Sequence, residues 1–280
     1  MKTLNEKYTY KPTLYFLLTF FITFLFWFVG AYSSFNEKLN KFYMLFMLAG
    51  LITPFILSFI FIFNSGNQTL KKEFVNRLIN LKLIKPSMLP VLILIMPLSV
   101  VVSILISYLF GGSLSQFSIA EEFSFTTGFV PVLLLLLLAA TFEELGWRGY
   151  AFDSLQSKYN YFTASLIFAI LWSAWHFPLI YVKDSYQYEI LNQNILFAIN
   201  FFLSIVPLGI LVSWICIKNG KSILSAILFH FLINFSNEIF NISQPTKVIE
   251  TFVLIAVVIL IVFYDRKLFF SELTPNRKKT

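Results

Sequence analysis

Two adjacent acids, Glu143 and Glu144, lie directly after the apolar run PVLLLLLLAATF. An ionisable side chain inside a membrane costs roughly 2.5–3.5 kcal/mol on insertion scales, so such residues are candidates for function. Glu144 and Arg148 are four residues apart and can pair along a helix, which would neutralise one carboxylate. Glu143 points about 100° away and stays available as a general base. The alternative is an ion pair at the end of a span that serves only topology.

The chain has only two histidines, and both fall in apolar segments that predict membrane spans. Trp172 and His176 share one helix face, and His230 and Asn234 share another. A lone membrane histidine is often a hydrogen-bonded packing residue, and an asparagine often bonds to a neighbouring helix. An imidazole can also assist proton transfer, and an asparagine can stabilise an oxyanion.

Together the polar groups predict an active site that activates water and stabilises a tetrahedral oxyanion. Its six residues are Glu143, Glu144, Arg148, His176, His230 and Asn234. Glutamate and histidine also bind zinc, so a second possibility is a metal site with Glu143, His176 and His230 as candidate ligands.

The composition indicates that a membrane surrounds these groups. The 280 residues are 58% hydrophobic and 12% charged, whereas soluble domains are roughly 45–50% apolar and about 25% charged. Apolar runs of about 20 residues, the length that crosses a bilayer, recur along the chain. We predict a single all-α, polytopic membrane domain over residues 1–280 with about eight transmembrane helices. The predicted spans are about 13–32, 41–64, 89–110, 127–147, 161–182, 195–217, 222–240 and 248–264.

The basic residues predict the orientation of the spans. Of the 21 Lys and Arg residues, only Lys38, Lys41, Lys183 and Lys247 lie in loops on one side. Because cytoplasmic loops are enriched in Lys and Arg, both termini are predicted to be cytoplasmic. The net charge of +7 therefore reflects topology, and nucleic acid is not an expected partner.

Two connections on the predicted cytoplasmic side carry many of these charges. Residues 65–88 combine basic residues with Leu, Phe and Ile at helical spacing, which predicts an amphipathic helix on the membrane face, with a solvated loop as the alternative. Residues 148–160 are predicted to be a loop.

The predicted depths of the site residues disagree. At about 1.5 Å per helical residue, His230 lies about 13 Å from Ser222, and Glu143 lies at a similar distance from Phe152. By the same count His176 lies about 22 Å from Tyr161. The site is coherent only if the fifth span begins well before the membrane or is strongly tilted.

The segments EELGWR, WSAWH and HFLIN, at 143–148, 172–176 and 230–234, resemble the three motifs of the CPBP family (CAAX protease and bacteriocin-processing, also called Abi). These intramembrane proteases are the prokaryotic relatives of type II CAAX prenyl endopeptidases. The resemblance is clearest over 127–240, which would form the catalytic core. One departure is Trp172, where many members carry phenylalanine.

The resemblance implies a role for each motif. Glu143 would be the general base, and Glu144 would pair with Arg148. The side chains expected to hold water and stabilise the oxyanion are His176, His230 and Asn234. The family mechanism is described either as zinc-dependent or as metal-free, and the sequence lacks an HExxH zinc motif.

We therefore expect an intramembrane endopeptidase that cleaves a membrane-associated substrate, either prenylated or bacteriocin-like, near the cytoplasmic face of the cell membrane. Membrane lipid and a peptide or protein substrate are the expected partners. No nucleotide is expected, because Ile215 stands where a phosphate loop ending in Gly220-Lys221-Ser222 needs glycine. The alternatives are a non-catalytic bacteriocin-immunity or binding protein of the same fold, and a proton-coupled transporter.

Overall fold

The computed structural model describes residues 8–120 and 131–271. Within these ranges the chain is helical, and its extended structure is limited to one bridge between Ile119 and Phe240. The α-helices are α1 (Pro12–Phe35), α2 (Tyr43–Phe63), α3 (Gln68–Ile79), α4 (Leu89–Leu109), α5 (Val132–Gly146), α6 (Phe152–Gln156), α7 (Tyr161–Trp175), α8 (Tyr186–Gln193), α9 (Ile195–Lys218), α10 (Ile223–Ile239), α11 (Gln244–Tyr264) and α12 (Arg266–Phe270).

The described helices confirm an all-α, polytopic membrane protein. Six of them, counted with adjoining 3₁₀ turns, are long and apolar enough to cross a membrane, and α10 is a shorter apolar helix. The outward face of α1 carries Leu17, Phe21 and Leu25, which are 65%, 70% and 54% exposed. Such a stripe is suited to lipid rather than water. The count of eight spans and the single domain over 1–280 stay predictions, and 127–130 of the fourth predicted span lie outside the described residues.

Contacts between distant residues mark the two ends of the bundle. At one end the main-chain nitrogen of Lys183 donates to Ser34 Oγ at 3.0 Å. At the other end Lys221 Nζ lies 2.8 Å from Asp153 Oδ1. Because α7 runs between positions 153 and 183, these contacts lie on opposite sides of the bundle, as the charge pattern predicts. The assignment of the Lys221 end to the cytoplasm stays a prediction.

Helical structure continues beyond the end of the fourth predicted span. After α5, residues Trp147–Ala151 form a π-helix that leads into α6. The prediction of a loop over 148–160 is therefore wrong up to Gln156. Two charged residues of this helical part, Arg148 and Asp153, are buried beside partners, because Arg148 pairs with Glu144 and Asp153 pairs with Lys221.

The amphipathic helix predicted within 65–88 is present as α3, so the solvated-loop alternative is wrong. The Asn67 side chain caps the helix by accepting a hydrogen bond from the main-chain nitrogen of Leu70 at 2.9 Å. Leu70 and Phe74 are buried, whereas Ile79 is exposed. The predicted position of α3 on the cytoplasmic membrane face is not tested by these contacts and stays a prediction.

Pro54 interrupts the hydrogen bonding of α2 and thereby joins three helices. Since proline has no N–H, the carbonyl of Gly50 loses its usual helical donor. Thr23 Oγ1 of α1 donates to that carbonyl at 3.2 Å, and the Trp175 indole of α7 donates to the same hydroxyl at 3.1 Å. These bonds fix the end of α7 next to His176.

Gly146 allows α5 to lie directly against α2. A Cβ atom at this position would lie 2.5 Å from Pro54 Cβ and 2.6 Å from the Pro54 carbonyl carbon, which is closer than real contacts. The hydroxyl of Tyr15 lies within hydrogen-bond distance of the carbonyl oxygens of Pro54 (2.8 Å) and Gly146 (3.2 Å). The first motif therefore contains a tight helix crossing at Gly146.

Candidate active site

Glu143 lies on α5 with its carboxylate held by two indoles. Its Oε2 accepts a hydrogen bond from Trp172 Nε1 at 2.8 Å and a longer one from Trp147 Nε1 at 3.4 Å. The residue is 6% exposed. In the part of the chain that the structure describes, Oε1 has no hydrogen-bond partner. One oxygen is thus fixed in place, and the other is available to accept a proton from water.

Glu144 faces a different set of partners. Arg148 Nη1 lies 2.9 and 2.8 Å from its two carboxylate oxygens, and both side chains are 0% exposed. Oε1 also accepts a hydrogen bond from His230 Nδ1 at 2.9 Å. The predicted Glu144–Arg148 pair is present, and Glu144 additionally anchors α10 to α5.

Arg148 is held by residues of α7 and α9 as well as by the carboxylate of Glu144. Its second terminal nitrogen donates to the Gly209 carbonyl at 3.3 Å and to Ser213 Oγ at 3.1 Å. The guanidinium carbon lies 4.3 Å from the centre of the Phe168 ring, a cation–π distance. Such a set of partners offsets the cost of removing a charged group from water.

The two histidines are each fixed through Nδ1. His176 follows α7 directly, and its Nδ1 lies 2.8 Å from the Trp172 carbonyl oxygen. Because a carbonyl only accepts, this nitrogen carries a proton and Nε2 carries the lone pair of a neutral ring. His230 Nδ1 likewise carries a proton, because it faces the Glu144 carboxylate. Both rings therefore keep Nε2 for chemistry.

Trp172 connects the three sequence motifs. Its indole nitrogen bonds to Glu143, and its carbonyl binds His176. Its ring centre lies 5.2 Å from that of His230 in an edge-on arrangement. The sequence pattern identifies Trp172 as the aromatic position of a motif and predicts no hydrogen bond for it. The signal that could have identified its role is the indole N–H, which phenylalanine lacks.

The conflict over depth disappears in the structure. Asp153 follows Glu144 by nine residues and Lys221 precedes His230 by nine, and these four residues form two matching pairs between antiparallel helices. The continuation of α5 through α6 also places the helix end 13 residues beyond Glu143, close to the 15 residues between Tyr161 and His176. No unusual tilt is needed.

Asn234 lies one turn after His230 on α10 and is half-buried. Among the described residues it has no hydrogen-bond partner, so its amide is free to bind a substrate. The structure therefore brings five of the six predicted residues into two hydrogen-bonded groups that meet where the Trp172 ring contacts His230. Asn234 lies on the helix that carries His230. Sequence reasoning missed the contributions of Trp147 and Ser213.

The candidate metal ligands do not form a metal-binding group in this geometry. Across the described ranges, no three side chains of His, Cys, Asp or Glu lie close enough to hold an ion together. Protein zinc sites take three or four such ligands. Glu143 is bonded instead to two indoles, so the arrangement does not fit zinc bound by Glu143, His176 and His230.

Comparison with known proteins agrees with the motifs. The family model described as type II CAAX prenyl endopeptidase Rce1-like matches residues 124–236, a range that contains all six predicted site residues. The chain is 59% identical over 268 residues to CAAX prenyl protease 2 of Methanococcus maripaludis, covering 96% of this chain and 99% of the relative. It is 25% identical over 155 residues to lysostaphin resistance protein A of Staphylococcus haemolyticus, covering 55% of this chain and 39% of that protein. The chain therefore belongs to the Rce1-like family of type II CAAX prenyl endopeptidases and is a multi-pass membrane protease that acts on a peptide or protein substrate.

Proposed function

We propose that this protease hydrolyses a peptide bond with a water molecule activated by Glu143. The observation that carries the proposal is the Glu143 carboxylate, which is fixed through Oε2 by Trp172 and leaves Oε1 free. A general base must be held within hydrogen-bond reach of the proton that it removes.

The neighbouring side chains complete the reaction. Glu143 removes a proton from water, and the resulting hydroxide attacks the carbonyl carbon, while the neutral Nε2 of His176 orients the water. A proton on His230 Nε2 and the Asn234 amide stabilise the oxyanion. Glu143 then returns its proton to the leaving nitrogen, and the carbon–nitrogen bond breaks.

Glu144 has a supporting role in this scheme. Its carboxylate binds His230 Nδ1, the arrangement that holds and stabilises a charged imidazole in other hydrolases. Arg148 neutralises the Glu144 carboxylate and binds both of its oxygens, so that Glu144 does not act on the reacting carbonyl. Adjacent acids thus perform two different tasks.

The proposed substrate is a prenylated peptide cleaved near its C-terminus at the cytoplasmic face of the cell membrane. The support is the name of the Methanococcus relative, which matches along nearly its whole length. The shorter match to a lysostaphin resistance protein keeps one alternative, a non-catalytic resistance protein of the same fold.

The experiment compares Glu143→Gln with Glu250→Gln in purified protein given a fluorescent prenylated peptide in lipid vesicles. Glu250 is a matched control because it is also a buried glutamate on a spanning helix, bonded to Asn237 outside the site. General-base catalysis is worth roughly 10²–10⁴-fold, so kcat should fall by that factor in Glu143→Gln only. Full cleavage by folded Glu143→Gln contradicts the mechanism, and equal cleavage of an unprenylated peptide contradicts the substrate.

A further inference from the structure

Arg77, on α3, reaches out of its own helix to three residues in two distant segments of the chain. Its Nε donates to the carbonyl oxygen of Lys221 at 2.7 Å, and Nη2 donates to the carbonyl oxygen of Arg148 at 2.7 Å. Nη1 forms an ion pair with the Asp153 carboxylate. The planar guanidinium is therefore used on all three of its nitrogens.

The ion pair between Arg77 and Asp153 is buried and does not lie on the surface. The side chains of Arg77 and Asp153 are 12% and 8% exposed. Burial by itself raises the pKa of Asp153, but the neighbouring Arg77 guanidinium and Lys221 ammonium group lower it to about 2. Asp153 is therefore ionised at neutral pH and holds the guanidinium of Arg77 in one orientation.

The carbonyl that Arg77 binds belongs to the π-helix between α5 and α6. A π-helix changes the regular main-chain bonding, and such segments are frequent at functional sites. The side chain of that same residue, Arg148, pairs with Glu144, and Glu144 in turn binds His230. A shift of the Arg148 main chain would therefore move two side chains of the site.

The Lys221 carbonyl lies at the start of the segment that leads to His230. Arg77 consequently joins the π-helix that follows α5 to the turn that precedes α10, beside the Asp153–Lys221 ion pair. Three directed hydrogen bonds fix relative position far better than one exposed ammonium group.

We propose that Arg77 is a positioning residue for the peptidase reaction, holding the π-helical segment so that Arg148 keeps Glu144 and His230 in place. This inference rests on the proposed function of the site. Arg77 lies outside all three sequence motifs and outside the matched range 124–236. The amphipathic helix α3 thereby becomes part of the catalytic apparatus.

The test measures kcat and KM of Arg77→Lys with the fluorescent prenylated peptide, per amount of folded enzyme. An ammonium group can keep the contact with Asp153 but cannot also reach both carbonyls in the plane of a guanidinium. Since a misplacement of about 1 Å can cost about 10²-fold in rate, we expect kcat to fall at least about tenfold with KM within about twofold.

Lys221→Met is the matched control, because it removes the second partner of Asp153 but keeps the main-chain carbonyl that Arg77 binds. Its kcat should stay within about twofold of wild type. A wild-type kcat in Arg77→Lys overturns the proposal, and so does an equal loss of kcat in both variants. Two reference measurements test the proposed function itself: wild-type enzyme must cleave the peptide, and Glu143→Gln must not.

If Glu143→Gln cleaves normally, the proposed function fails, and this result is distinct from a failure of the proposal for Arg77.

A second variant covers the case in which Arg77→Lys does not fold. Arg77→Met combined with Asp153→Asn removes both charges together, so no buried carboxylate loses its main partner. The Arg148 carbonyl still loses its donor, and kcat should fall as in Arg77→Lys. Wild-type kcat in this double variant overturns the proposal.

Discussion

Replacing Arg148 by methionine tests whether its ion pair with Glu144 organises the interior of the protein. Both side chains are fully buried, and their two contacts measure 2.9 and 2.8 Å. Removal of one member of a buried pair costs about 3–5 kcal/mol, because the other charge is left without compensation. We expect Arg148→Met to lower the free energy of unfolding by about that amount, a large share of the stability of most proteins.

The double variant Glu144→Gln, Arg148→Met should be more stable than Arg148→Met alone. Glutamine preserves the size of Glu144 and an oxygen that accepts from His230. When Arg148 is removed, the Gly209 carbonyl and the Ser213 hydroxyl still have each other as partners, because Ser213 Oγ donates to that carbonyl at 2.7 Å. Interaction energies between contacting residues reach about 3 kcal/mol, so we expect the double variant to recover at least about 2 kcal/mol.

The measurement is reversible unfolding in mixed micelles for wild type, the two single variants and the double variant. Coupling between the two positions supports the argument that Glu144 and Arg148 act as one unit. Additive losses would refute it, since each side chain would then contribute independently. Activity provides a second readout, because neutral glutamine cannot stabilise a charged His230, and cleavage should stay low even where stability returns.

Three further predictions follow from single contacts. Trp172→Phe keeps an aromatic side chain but removes the 2.8 Å hydrogen bond from the indole to Glu143. Hydrogen bonds to charged groups are worth about 1.5–3 kcal/mol, so kcat should fall about 10–100-fold, and an unchanged kcat would contradict the role of the indole. Gly146→Ala places a Cβ 2.5 Å from Pro54 Cβ; overpacking of this kind costs about 1–3 kcal/mol, to be measured as lost unfolding free energy, and an unchanged value would show that the crossing relaxes freely. The pKa of Asp153 is lowered from 3.8 to about 2, so its ionised form stabilises the fold above pH 4, and about 2 kcal/mol should be lost as the pH falls from 4 to 2; Asp153→Asn should remove this pH dependence, and its persistence would assign it to another group.

Contacts within one motif were predictable from the sequence because each motif is local. The spacing of Glu144 and Arg148 by one helical turn is sufficient to predict their pair, and the structure shows it. The partners that lie far apart in sequence were not predictable in detail. The bond from His230 to Glu144 spans 86 residues, and its existence depends on the register between α5 and α10, which no local pattern encodes.

The error over residues 148–160 has a physical cause. Hydropathy counts a charged residue as exposed, whereas Asp153 is buried between two basic partners, Arg77 and Lys221. One partner comes from α3 and the other from the turn before α10. Because this compensation is supplied from elsewhere in the chain, the continuation of α5 to Gln156 could not be inferred from its own residues.

The doubled acid of the first motif follows from the geometry of three helices. Neighbouring positions on a helix point about 100° apart, so two adjacent carboxylates face two different neighbours. Glu143 meets Trp172 on α7, whereas Glu144 meets His230 on α10. Two acids one turn apart would lie on a single face of α5, and either α7 or α10 would then have no carboxylate to bind. The adjacent pair therefore allows one short segment of α5 to fix both histidine-bearing helices, while it keeps Glu143, the proposed general base, separate from the carboxylate that Arg148 neutralises.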